Sequence, residues 1–164
     1  MSRWIFSICV LLFSGSLLAQ EPAKPAPSQE ALIEKLEMEL TGVKLVGKFT
    51  VTGKADMTPK EEEYTITSAM KLPEPDLWLL KARVKYGQSD GTFPIPLEIK
   101  WAGDTPVITL TNLAIPGLGT FSSRVVIYEG RYAGTWQHGD VGGHLFGVLQ
   151  RPEEAKPPAE KAED

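Results

Sequence analysis

The chain has 164 residues, with 17 Lys and Arg against 21 Asp and Glu, a formal net charge of −4. That mildly acidic, mixed-sign balance offers no basic face for nucleic acid and no cationic surface for anionic lipid. Cys9, the one cysteine, lies in the N-terminal apolar run, so the sequence beyond it holds no disulfide, thiol nucleophile or Cys-ligated metal.

The opening residues, "MSRWIFSICVLLFSGSLLAQ", have the pattern of a secretory signal. Arg3 supplies the positive charge, residues 4–18 are uncharged and mostly apolar, and cleavage is expected after Ala19. An apolar run of about 15 residues falls short of the roughly 20 that a membrane-spanning helix needs. The expectation is an exported chain, periplasmic or secreted, starting at Gln20 and without stable membrane insertion. A retained signal anchor is the alternative. Intact Met1 in membrane pellets, with no shorter soluble species, would decide for it.

Residues 20–30, "QEPAKPAPSQE", and 152–164, "PEEAKPPAEKAED", are rich in proline, alanine and charge and lack large apolar groups. Neither buries enough surface to offset its ordering entropy, so both are expected to be disordered. They bracket one domain over 31–151, long enough to bury about two-thirds of its unfolded surface. A chain cut after Arg151 should therefore keep its thermal midpoint. A fall of many degrees in calorimetry would mean that the tail docks.

The stretch "SQEALIEKLEMEL" places Ile33, Leu36 and Leu40 at i, i+3 and i+7. That spacing predicts a short amphipathic helix over 29–40, with Ser28 as N-cap and Thr41-Gly42 ending it. From Val43 the period becomes two. In "VKLVGKFTVT", Val43, Leu45, Phe49 and Val51 share a face; in "EEYTITSAMK", Tyr64, Ile66 and Met70 do. "LWLLKARVKY" sets Trp78, Leu80, Ala82, Val84 and Tyr86 opposite Lys81, Arg83 and Lys85. "FPIPLEIKW" sets Phe93, Ile95, Leu97, Ile99 and Trp101 opposite Glu98 and Lys100. Strands with one buried and one wet face build antiparallel sheets.

Four further strands follow, "PVITLTN", "FSSRVVIYE", "RYAGTWQH" and "GHLFGVLQ", separated by Gly, Pro and Asp turn signals. Connections this short leave no room for crossover helices, so the fold class is all-β, an antiparallel up-and-down meander of about eight strands. Closure into a barrel removes the two exposed edges such a meander would otherwise carry. Gly47 and Gly147 are placed to permit the bends that closure needs. A β-sandwich of the same strands is the alternative.

A helix leading into an eight-stranded meander that closes on "YAGTW…GG…FGVL" resembles the calycin group of barrels, the lipocalins and avidins, over about residues 31–151. The pattern departs from the family in two places. Gly42-Val43-Lys44 stands where lipocalins usually carry Gly-x-Trp, and Gly134-Thr135-Trp136 comes in the seventh strand instead. Avidins bring several polar side chains to their ligand, whereas Asn112 is the single asparagine here. The resemblance implies a binding module for a small or apolar ligand and carries no binding residues over.

Enzymatic signatures are missing. No Gly-x-Ser-x-Gly elbow occurs, and Ser122-Ser123 lie in an ordinary strand. The glycines of "GLGTFS" open a strand, where no helix N-terminus waits to hold a phosphate. Glu61-Glu62-Glu63 reads as a solvated strand entry and not as a metal cage, because neighbouring side chains on a strand point to opposite faces. No enzyme activity, cofactor or metal is expected.

The segment "RYAGTWQHGDVGGHLFGVLQ" holds both histidines. With "GDVGG" as the loop, His138 would face His144 and Trp136 would face Phe146. Tyr132, Trp136, His138, His144 and Phe146 would then form one stripe, the candidate ligand-binding set. The competing reading makes Trp136 and Phe146 plain core, with both histidines wet at the hairpin end. Large inward residues, from Phe49 and Tyr64 through Trp78, Tyr86, Phe93, Trp101, Trp136 and Phe146, predict a substantially filled barrel. Two functions stay open: an exported, non-enzymatic binding module for a small apolar or amphipathic molecule, or an envelope interaction protein with a filled core.

Overall fold

The structure is a computed structural model and describes residues 26–53, 58–86 and 89–152. The signal-like segment with its cleavage site, most of the 20–30 linker and nearly all of the tail lie outside the described residues. The helix, α1 (Gln29–Leu40), forms where the apolar spacing predicts it, so its first turn takes the last residues of the stretch read as linker. Ser28 is the N-cap, its hydroxyl accepting from the Ala31 N–H at 3.3 Å. The buried stripe is Leu32, Leu36 and Leu40, at i, i+4 and i+8, and Ile33 packs only at its flank. Gly42, with φ +72°, turns the chain from helix into sheet.

Eight strands follow: β1 (Val43–Phe49), β2 (Lys60–Lys71), β3 (Leu77–Tyr86), β4 (Ser89–Ala102), β5 (Thr105–Ile115), β6 (Gly119–Tyr128), β7 (Arg131–His138) and β8 (Val141–Gln150). Each pairs antiparallel with the next, and β8 returns to β1, so the meander closes as a barrel and the sandwich alternative falls away. β3 and β4 keep the predicted alternation, with Trp78, Leu80, Ala82, Ile95, Leu97 and Ile99 all buried. β2 does not. A bulge between Ile66 and Ser68 inserts one residue against β3. Beyond it the faces exchange, so Ala69 points in and Met70, predicted inward, is 49% exposed.

The helix closes one end of the barrel. Leu36, Leu40, Val43, Trp78, Ile99 and Ile127 pack there, each 2% exposed or less. Polar ties hold α1 in place: Lys71 N–H donates to Glu37 Oε1 at 2.6 Å, and Ala69 N–H to Thr41 Oγ1 at 3.2 Å. Arg151 Nη2 donates to the Met38 carbonyl at 2.7 Å. The opposite end carries the β5–β6 and β7–β8 turns and remains open.

Toward that mouth the pairing of β4 with β5 stops short. Ile99 N–H donates to the Asp76 carbonyl on the β3 side at 2.8 Å, so the even-numbered residues of β4 face β5. Pro94 and Pro96 therefore have no N–H to offer β5. The β4–β5 ladder accordingly ends at the Glu98–Thr109 pair.

Candidate functional site

The β7–β8 hairpin turns on two residues, Gly139-Asp140, and His138 pairs with Val141. Gly139 takes a positive φ of +58° at the first turn position, as a II′-type two-residue hairpin requires. The predicted five-residue loop is thus corrected by three residues of register. An odd shift sends every side chain of β8 to the other face. Trp136 faces Gly143 rather than Phe146, and Thr135 faces His144.

The expected stripe is therefore split across the wall. Tyr132 and Trp136 line the interior, Tyr132 being 2% exposed. His138 stacks on Phe121 at the mouth, ring centroids 4.4 Å apart and 17° from parallel. His144 and Phe146 lie on the outer face, Phe146 at 45% exposure. There the His144 backbone N–H donates to Thr50 Oγ1, just past the end of β1, at 3.1 Å.

The interior is hollow where side-chain bulk predicted a filled barrel. A cavity of about 800 Å³ opens at the mouth, within the range of small-molecule pockets. Several of the large rings sit away from the cavity, which accounts for part of the difference. Trp78 is packed at the helix end, and Phe146 is outside. Phe49 and Trp136 meet edge to face near the mouth, centroids 5.7 Å apart. Most of the lining is aliphatic, with Leu45, Ile66, Leu80, Leu97, Val125 and Leu145 beside Tyr64 and Tyr132. Leu118, from the β5–β6 turn, tucks inward and is buried.

A half-buried carboxylate stands inside this apolar wall. Glu62, half-buried, shares the inward face of β2 with Tyr64 and Ile66. Tyr132 Oη donates to Glu62 Oε1 at 2.8 Å, and Tyr64 Oη donates to Oε2 at 3.1 Å. Tyr132 reaches Glu62 across two strands because both intervening residues are glycine. Its cross-strand partner is Gly147, Gly147 pairs with Gly47, and Gly47 pairs with Glu62. A Cβ on Gly147 would lie 2.7 Å from Tyr132 Cε1, so these glycines make room for a ring.

Burial pushes the Glu62 carboxyl above its ordinary range, against the two phenol donors that pull it down. Burial, the Glu62 hydrogen bond and the Glu62 charge hold the Tyr132 hydroxyl protonated far above the usual phenol range. A carboxyl whose folded value is raised favours the folded state below its unfolded value, and loses that advantage as pH rises through the raised one. Wild type should therefore lose stability relative to Glu62→Gln as pH climbs through that window. Parallel denaturation curves for the two proteins between pH 4 and pH 8 would check the sign, and a widening wild-type advantage with pH would contradict it.

The sequence reading missed Glu62 by treating the glutamate run as one solvated unit. The signal was present: Tyr64 and Ile66 were read as inward, and period two puts Glu62 on their face. Its neighbours do point outward, Glu63 pairing with Lys44 at 3.0 Å. Among the described residues, no three His, Cys, Asp or Glu side chains gather as a metal set. No family model, curated protein or solved structure matches this chain, so barrel and cavity carry the functional reading on their own.

Proposed function

We propose that the protein is an exported, non-enzymatic binding module of lipocalin-like type that holds one small apolar or amphipathic molecule inside the barrel. The observation that carries this reading is the cavity of about 800 Å³, walled by aliphatic side chains and open at one end. Eight-stranded barrels have interiors either filled by side chains or just wide enough for one ligand. An apolar hollow with a few converging polar groups is what such a ligand needs.

Trp136 is the natural reporter, since its ring lines the cavity and its Nε1 is fixed by the Thr50 carbonyl at 3.1 Å. Lipophilic probes should change its fluorescence, and Trp136→Phe should weaken their binding without unfolding the protein. Trp136→Ala should in addition cost about 3 kcal/mol through the void it leaves. If no probe binds the wild type and both substitutions change stability alone, the reading fails. Native mass spectrometry of protein from its own compartment would identify a retained ligand directly.

A second reading, an envelope interaction protein, has one observation in its favour. Val126, Tyr128, Phe146 and Val148 stand exposed on the outer faces of β6 and β8, separated only by β7. A folded protein that binds no probe would leave that reading standing.

A further inference from the structure

We propose that the cavity selects amphipathic molecules bearing a protonated amine, seated with the ammonium on Glu62 and the hydrocarbon chain along the aliphatic wall. The inference deepens the binding-module reading and depends on it. Its basis is an unbalanced charge inside an apolar cavity.

The Glu62 carboxyl is anchored by two neutral phenols, one on each oxygen. A carboxylate has about four acceptor positions, so about two remain for a ligand. Among the described residues, no lysine, arginine or histidine pairs with Glu62; the ion pairs all involve other carboxylates. Lys48, next to Gly47 on β1 and at the edge of the same cavity, is exposed and sits across from Glu61. An ionised group in apolar surroundings is costly until it is paired. The upward push of burial on this carboxyl expresses that cost.

The phenols also fix direction. Both hydroxyls already donate to Glu62, so the site as a whole offers acceptors and negative charge. An ammonium donates to the remaining positions and supplies the missing charge. A neutral alcohol donates without charge. A fatty carboxylate would bring a second negative charge beside the first, and is disfavoured. The aliphatic wall beyond Glu62, with Ile66, Leu80, Leu97 and Leu145, takes the chain in every case.

The test uses three probes with one chain and three heads: decylamine, decanol and decanoate, titrated below their aggregation limits at pH 7 by calorimetry. Wild type should bind decylamine about tenfold to a hundredfold more tightly than decanol, as a hydrogen bond to a charged group warrants, and decanoate weakest. In Glu62→Gln the decylamine affinity should fall to that of decanol, while decanol binding, which reports an intact cavity, stays within about threefold. Tyr64→Phe removes one anchor but no charge, and should keep the amine preference. Wild type favouring decanoate, or Glu62→Gln retaining the amine preference, would overturn the inference and leave the binding module intact. If none of the three binds wild type, the binding-module reading falls, and this inference with it. Should Glu62→Gln fail to fold, the wild-type ranking of the three heads decides alone.

Discussion

Replacing both Leu36 and Leu40 with alanine should leave the protein unfolded or barely folded at room temperature. Both side chains are essentially inaccessible, at 1% and 0% exposure, and both pack into the cluster containing Val43, Trp78 and Ile99. A buried Leu→Ala substitution costs about 2–5 kcal/mol, in transfer free energy plus the void left behind. Two would cost about 4–10 kcal/mol, against a typical total of about 5–15 kcal/mol. The sites are one helical turn apart, so relaxation around one void can soften the second. The loss still approaches the whole stability. Met38, on the same helix but 66% exposed, provides the contrast: Met38→Ala should stay within about 0.5 kcal/mol of wild type. Urea denaturation of the three proteins measures both. A double variant with an unchanged midpoint would mean that the helix does not close the barrel.

That prediction was already legible in the sequence, since a 3.6-residue period followed by a change to two marks a helix that must find an apolar surface on the sheet. β3 and β4 were legible for a related reason. Neither carries a bulge, so one parity holds from Trp78 to Val84 and from Phe93 to Trp101. What the residues did not announce were places where the backbone breaks its own period. Thr67-Ser68 looks like ordinary strand, yet a bulge there exchanges the faces beyond it. "HGDVGG" offers three glycines to a turn that needs one. The other two belong to β8, and Gly143 is glycine because a Cβ there would meet the Thr50 backbone, with Thr50 C at 2.7 Å. Turning and close approach both call for glycine, and only the register tells them apart. The hollow interior was hidden likewise. Counting large inward residues gives total bulk, whereas the free volume depends on how far along the barrel axis each ring sits.

The same distinction sets the second large effect, at Gly147. Its φ is not positive, so alanine there would be conformationally ordinary. The obstacle is steric. A Cβ would meet the Val46 carbonyl, Gly47 Cα at 2.6 Å and Tyr132 Cε1 at 2.7 Å. Two of those atoms are backbone on the neighbouring strand and cannot swing aside. The third belongs to the ring whose hydroxyl holds Glu62 at 2.8 Å. Relief therefore requires β1 and β8 to part, or Tyr132 to leave its place and strand a half-buried carboxylate. Overpacking costs about 1–3 kcal/mol, and losing a hydrogen bond to a charged group adds about 1.5–3 kcal/mol. Gly147→Ala should thus destabilise the protein by about 3–5 kcal/mol. Gly103, in the β4–β5 turn, is the control, with φ +67° and nothing within 4 Å of a built Cβ. Gly103→Ala should cost only the left-handed conformation, about 1–2 kcal/mol. Denaturation curves that rank the two substitutions the other way would show that the Gly47–Gly147 seam is slack, and that Tyr132 reaches Glu62 without needing a bare backbone beneath it.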